Sequence, residues 1–209
     1  MKPLVLSLIS LLLAFPLHAE VTVIKPVNTI SMENGEVARD RAVYIEGGRI
    51  TRILAFEGLP SLPENATIID GANGWLIPGL AEMHAHVPSE RRGEQYARDI
   101  MNLFLANGVT TIRGMLGEPW HLELREMLDQ KTWTGPRLIT SGPSFNGNSV
   151  SSPDQASLRV QSQSQAGYDF LKLHPGLEAD EFLAIAATAK EEGIPFAGHV
   201  SYAVGIDTA

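Results

Sequence analysis

The chain reads as an α/β protein in which consecutive strand–helix units follow a small β domain, and two observations predict this. Five apolar, strand-like runs centred near Met83, Thr111, Ile139, Lys172 and Gly198 recur every 26 to 33 residues with helix-patterned stretches between them, the length of a right-handed βα unit. Before Gly74 the pattern is short-period and β-prone instead.

Residues 1–19 read as a cleavable export signal. Met1-Lys2 is a short basic start, Leu4 to Leu17 is an almost unbroken apolar run, and Ala19 offers a small residue for cleavage before Glu20. The run falls short of the ~20 residues of a membrane span, and Pro3 and Pro16 fit a buried helix poorly. The expected location is therefore periplasmic or secreted, with no membrane attachment after cleavage.

Residues 20–74 are expected to form the small β domain. Val21–Ile24, Ala42–Ile45 and Ile50–Phe56 are its strands, and Glu46-Gly47-Gly48-Arg49 supplies the glycine pair of a tight hairpin. From residue 75 the βα rhythm begins with an apolar strand run over 75–87. A helix is expected over 91–107, stopped by Asn107-Gly108, then a strand at Val109–Arg113 and a helix from Pro119 through Asp129. Gly135-Pro136 leads into the strand Arg137–Thr140. Ser152, Pro153 and Gln155 form a capping-box start for a helix ending near Gly167. Tyr168–His174 is a strand, Asp180–Glu192 a helix closed by Gly193, and Ile194–Val200 the last strand.

Composition narrows the chemistry. Hydrophobic residues make up 44% of the 209, ample for a core, and the net charge of -8 with no Lys/Arg run argues against a nucleic-acid or anionic-membrane partner. There is no cysteine, which excludes disulfides, thiolate metal ligands and a cysteine nucleophile. A doubly wound sheet would give the same strand spacing as part of a (β/α)8 barrel. No glycine fingerprint for a dinucleotide follows the first strand, so the polar residues at the strand ends bear on the choice.

His84 and His86 stand two apart at the end of a strand, where period two turns both imidazoles to one face. They are either two nitrogen donors for a divalent ion such as zinc or a polar strand end. Alternation puts Phe170, Lys172 and His174 on one face of their strand and Leu171 and Leu173 on the other. A lysine in a barrel lumen costs free energy unless it is paired or chemically altered; beside a metal it would favour a carbamylated, anionic form. The alternative is a lysine capping an outward-facing strand end. His199 ends the fifth strand. Residues on three strand ends converge in a barrel but not along the chain.

These segments resemble the amidohydrolase superfamily, within it the imidazolonepropionase-like enzymes and the metal-dependent Xaa-Pro-type dipeptidases. The matching stretches are Leu76-Ile-Pro-Gly-Leu80 running into Met83-His-Ala-His86, Asn107-Gly-Val-Thr-Thr-Ile-Arg113, Gly135-Pro-Arg137, Tyr168-Asp-Phe-Leu-Lys172 and Gly198-His-Val200. The resemblance implies an incomplete (β/α)8 TIM-type barrel over 75–209, about five βα units, behind the N-terminal half of a composite β domain. It implies His84 and His86 on one metal ion, Lys172 as a carboxylated, bridging and catalytic residue, and His199 on a second ion, most simply two Zn2+. The family's further histidine and its proton-shuttling aspartate fall beyond Ala209, so the general base is not in this chain and these 209 residues alone are expected to be inactive. Arg113 and His174 are candidates for touching substrate, against ordinary ion-paired or structural roles.

The function expected is metal-dependent hydrolysis of a C–N bond in a small amide, cyclic amide or dipeptide. The rivals are a one-metal deaminase and an exported binding protein that kept the fold without catalysis. Association between copies is left open.

Overall fold

The computed structural model describes residues 20–209, so the expected export signal lies outside the described residues. No helix among them is long and apolar enough to cross a membrane. The chain divides into two units, the first ending at Pro78 and the second beginning at Gly79.

The first unit is a sheet in the order β3-β2-β1-β4, with β5 also paired to β1. Its strands are β1 (Val21–Ile30), β2 (Val37–Glu46), β3 (Arg49–Ala55), β4 (Thr67–Asp70) and β5 (Trp75–Leu76). The β2–β3 hairpin turns at Gly47 (φ 57°) and Gly48 (φ 75°), both in the left-handed region that a two-residue turn matching the strand twist requires. Val23, Ala42 and Tyr44 are buried at its centre, packed by Val21, Leu54, Leu59 and Leu62.

Trp75 and Leu76 differ from expectation. Rather than opening the barrel strand, they pair in parallel with Asn28 and Thr29 of β1. Asn28 explains this: its buried amide donates to the carbonyls of Asn73 and Gly74 at 2.8 and 3.2 Å and accepts from the Asp40 N–H at 3.2 Å, laying the incoming chain alongside β1. Pro78 has no N–H with which to continue a ladder. The next ladder starts where the Leu80 N–H donates to Gly108 O at 2.8 Å, and a side chain at Gly79 would collide with Thr110.

The second unit alternates strand and helix. Its strands are β6 (Leu80–Ala85), β7 (Val109–Gly114), β8 (Arg137–Thr140), β9 (Leu171–Leu173) and β10 (Phe196–Gly198), and its helices α1 (Glu94–Ala106), α2 (Trp120–Asp129), α3 (Pro153–Gln165) and α4 (Ala179–Glu192). β6, β7 and β8 pair in parallel. Parallel bridges Ser141–Phe170 and Phe145–Leu173 join the β8 exit to β9, and β10 pairs with β9 in parallel. The order is thus sequential with no reversal, where a doubly wound sheet has a switch point and a (β/α)8 barrel does not.

Two apolar clusters hold this unit. Ile112 and Leu138 pack with Met101, Leu124, Leu128 and Trp133; Leu171 and Leu173 pack with Phe145, Val160, Phe182 and Ile185. Asp169 secures the entry to β9: its Oδ2 accepts from Arg125 Nη1 at 2.7 Å and from the Thr140 N–H at 2.8 Å. The helix expected over 91–107 is broken at Gly93 (φ 85°), with a 3₁₀ turn at Glu90–Arg92 before it. Ser152 caps α3 through the Gln155 N–H at 3.3 Å. The return half of the expected capping box is displaced by one residue, because Gln155 Oε1 accepts from the N–H and hydroxyl of Ser151.

Candidate metal centre

The end of β6 does not follow simple alternation. Glu82 is opposite Ile112 and Ala85 opposite Gly114 on β7, so three steps on β6 match two on β7. Met83 and His84 form the bulge, a device that re-aims side chains and is common beside active sites. The His84 and His86 rings remain neighbours, with centroids 5.5 Å apart and planes at 39°, and both residues are exposed. The bulge is held by side chains. Arg113 Nε donates to Met83 O at 2.9 Å, and Glu82 Oε1 accepts from the His84 N–H at 2.8 Å.

Lys172 lies mid-strand in β9, opposite Ala197 of β10, and is 1% exposed. Its neighbours Leu171 and Leu173 turn into the apolar core, so alternation sends Lys172 to the other face with Phe170, whose ring carries the Arg113 guanidinium at 5.6 Å. No carboxylate among the described residues forms an ion pair with Lys172. Burial, and after it the charge of Arg113, push the amine below the ordinary lysine range, because both disfavour the ammonium.

His174, just past β9, meets His199, just past β10, edge to face with centroids 5.0 Å apart. The His199 N–H donates to Leu173 O at 3.1 Å, and Nδ1 lies 3.4 Å from the same carbonyl. With the proton on Nδ1 this contact is a weak hydrogen bond that leaves Nε2 as the free donor atom. Gly198 makes the approach feasible: its φ is 152°, and an added Cβ would run into the backbone of Leu173. An open cavity of about 380 Å³ beside His199 is lined by Leu177, Glu178, Ser201 and Tyr202.

The four sequence-predicted ligands and the two substrate candidates are therefore brought together. Desolvation lowers His84, followed by the charges of Lys172, His86, His199 and Arg113. His174 is lowered first by desolvation, then by Lys172, His199, His86 and His84. The charge of Lys172 is thus felt at one imidazole of each pair, His84 and His174. Lowered histidines are neutral near pH 7, the state a metal ligand needs. Among the described residues no three His, Asp or Glu side chains are grouped to hold an ion; the imidazoles form two pairs. Nitrogen donors of this kind fit a borderline divalent ion, and the pairs fit it as part of a ligand set.

Sequence reasoning missed the bulge, the cap from Glu82 and the role of His121. The His121 ring is fully buried; Nδ1 accepts from the Glu118 N–H at 3.2 Å and Nε2 donates to Pro88 O at 3.1 Å. It pins the segment leaving His86 to the start of α2. Burial lowers its pKa against smaller opposing effects of the Pro88 carbonyl and Glu118.

The chain is similar in sequence and in fold to known proteins. An adenine deaminase from Chelativorans sp. (strain BNC1) is 27% identical over 205 residues, covering 85% of this chain and 32% of its own. An imidazolonepropionase from Aromatoleum aromaticum is 45% identical over 49 residues, 23% of this chain and 12% of its own. A prolidase crystallised with N-methylphosphonate-L-proline superposes with a TM-score of 0.75 at 21% identity, over 86% of this chain and 56% of its own. The chain spans less than two thirds of the length of each, and the last likeness speaks to fold alone. Residues 75–207, which carry the five sequential strands and all of the paired imidazoles, match the model of the amidohydrolase family, and the chain belongs to that family.

Proposed function

We propose that the protein is a metal-dependent hydrolase of C–N bonds in a small amide, cyclic amide or dipeptide. The observation that carries this reading is Lys172, an amine 1% exposed and without an ion-pair partner among the described residues, on a strand that leads into the His174–His199 pair. His84 and His86 would hold one divalent ion and His199 a second. Zinc suits these donors best. Such ions, when bound, lower the pKa of water and polarise a carbonyl.

The chain's own residues prepare the site. A lysine amine below its ordinary range is more often neutral, and the neutral amine can add to carbon dioxide, forming an N–C bond and releasing one proton. The resulting carbamate is the anionic oxygen donor that the imidazole pairs lack, and it removes the cost of a buried ammonium. His174, edge to face with His199, would be the residue to touch substrate.

A one-metal deaminase is the second reading, favoured by the adenine deaminase relative; it too breaks a C–N bond, but it needs no bridge from Lys172. The test is turnover by the full protein on panels of Xaa-Pro dipeptides, cyclic amides and adenine, after chelation and after zinc is restored, with metal content measured. Zinc-dependent hydrolysis with two ions per chain supports the first reading. One ion with adenine turnover supports the second, and no metal-dependent turnover on any panel defeats both. Export would be checked by finding the mature N-terminus after residue 19 in the periplasmic or secreted fraction.

A further inference from the structure

We propose that Arg113 is a positioning residue for His84, holding the bulged end of β6 through the carbonyl of Met83 rather than binding substrate. The inference rests on the metal reading of His84. In a parallel pair each strand carbonyl normally accepts from the neighbouring backbone. At Met83 and His84 the register slips, and neither residue has a partner on β7. Arg113 of β7 replaces the lost ladder contact with a side-chain one, Nε to Met83 O at 2.9 Å.

The guanidinium is itself restrained, because its Cζ lies over the Phe170 ring, 5.6 Å from the ring centre. Phe170 is 5% exposed and bridged to Ser141, so Arg113 ties the exposed end of β6 to a buried side chain just before β9. Met83 O belongs to the peptide group that leads directly into His84. Fixing that oxygen fixes the plane from which the His84 side chain departs.

Two substitutions separate the hydrogen bond from the charge. Glutamine places its Nε2 where arginine has Nε, so Arg113→Gln keeps the donor and loses the charge, whereas Arg113→Lys keeps the charge and puts a methylene there. The full protein loaded with cobalt(II) is read by its visible absorption and by chelator competition, with kcat and KM measured separately. The expected result is that Arg113→Lys and Arg113→Met alter the cobalt spectrum and weaken metal binding by about 10–100-fold, while Arg113→Gln stays near wild type. A Gln variant as impaired as Met overturns the proposal. So does a rise in KM alone, in Lys or Gln, with an unchanged cobalt spectrum, which would make Arg113 a substrate ligand. If Arg113→Met fails to fold, the Lys and Gln variants carry the comparison. His84→Ala is the control: unchanged cobalt binding there defeats the metal reading itself, whereas lost binding with an unperturbed Arg113→Lys defeats only the positioning role.

Discussion

β9 and β6 both bring candidate ligands to the same site and hold them by different physics. All three residues of β9 are buried, and Lys172 is fixed by close packing of Leu171 and Leu173 on the opposite face. On β6 only Ala85 of six residues is buried, and the candidate ligands are placed by two hydrogen bonds at a bulge, one donated by Arg113 to Met83 O and one accepted by Glu82 from the His84 N–H. Packing tolerates a change of side-chain chemistry better than a change of volume, whereas a hydrogen-bonded bulge is sensitive to loss of a single donor. β9 should therefore survive loss of its charge with its structure intact, and function alone should suffer.

The largest expected effect tests this. Lys172→Met should lower activity on the order of a thousandfold, the scale of several kcal/mol of transition-state stabilisation, and lose at least one ion by elemental analysis. The metal-free variant should unfold at the same temperature as wild type or higher, since the buried amine is a cost. A fall in melting temperature would show that the amine has a structural partner and that β9 is not held by packing.

Gly198→Ala should come next. The new methyl group meets the Leu173 backbone at a strained φ, so denaturant unfolding should show a loss of about 1–3 kcal/mol, with weakened metal binding as His199 moves. Wild-type stability in this variant would mean that β10 can withdraw from β9. A similar or smaller loss, about 1–2 kcal/mol, is expected of Asp169→Asn, which gives up a charge-assisted contact with Arg125 that is partly exposed.

The smallest effect is on the β6 side and depends on pH. His121 has its pKa lowered in the folded state by burial, so the unfolded chain binds a proton more readily. Its contribution is complete above the ordinary histidine value of about 6.5 and is lost as pH falls from there through the folded value. Metal-free wild type should lose stability on acidification through that window, and His121→Gln should show a shallower slope. Parallel pH profiles for the two proteins would remove the neutral-imidazole assignment.

Much of this was legible in the sequence because it depends on local chemistry. The glycine pair at 47–48, the Ser152 cap and the Gly193 stop act within a few residues of themselves, and each sits as expected. The five strand centres follow from apolar runs, and alternation correctly set Lys172 apart from Leu171 and Leu173. What escaped depends on partners distant in sequence. The bulge at Met83–His84 exists only in register with β7, and the pairing of Trp75 with β1 needs Asn28, 47 positions earlier. β4 was missed for a related reason: Thr67–Asp70 is exposed throughout, so it lacks the alternation that marks a half-buried strand. His121 gave no signal, since its two partners are backbone groups.

The sequential strand order also governs how the second unit can assemble. From β6 to β10 each strand finds its neighbour one βα unit away, so no pairing waits on a segment made much later. Successive units can dock in the order in which they leave the ribosome, each loop closure costing about the same entropy as the one before. The contact between Gly198 and Leu173 is one of these closures. His199 can then take its position beside His174 only once β10 has paired with the buried β9.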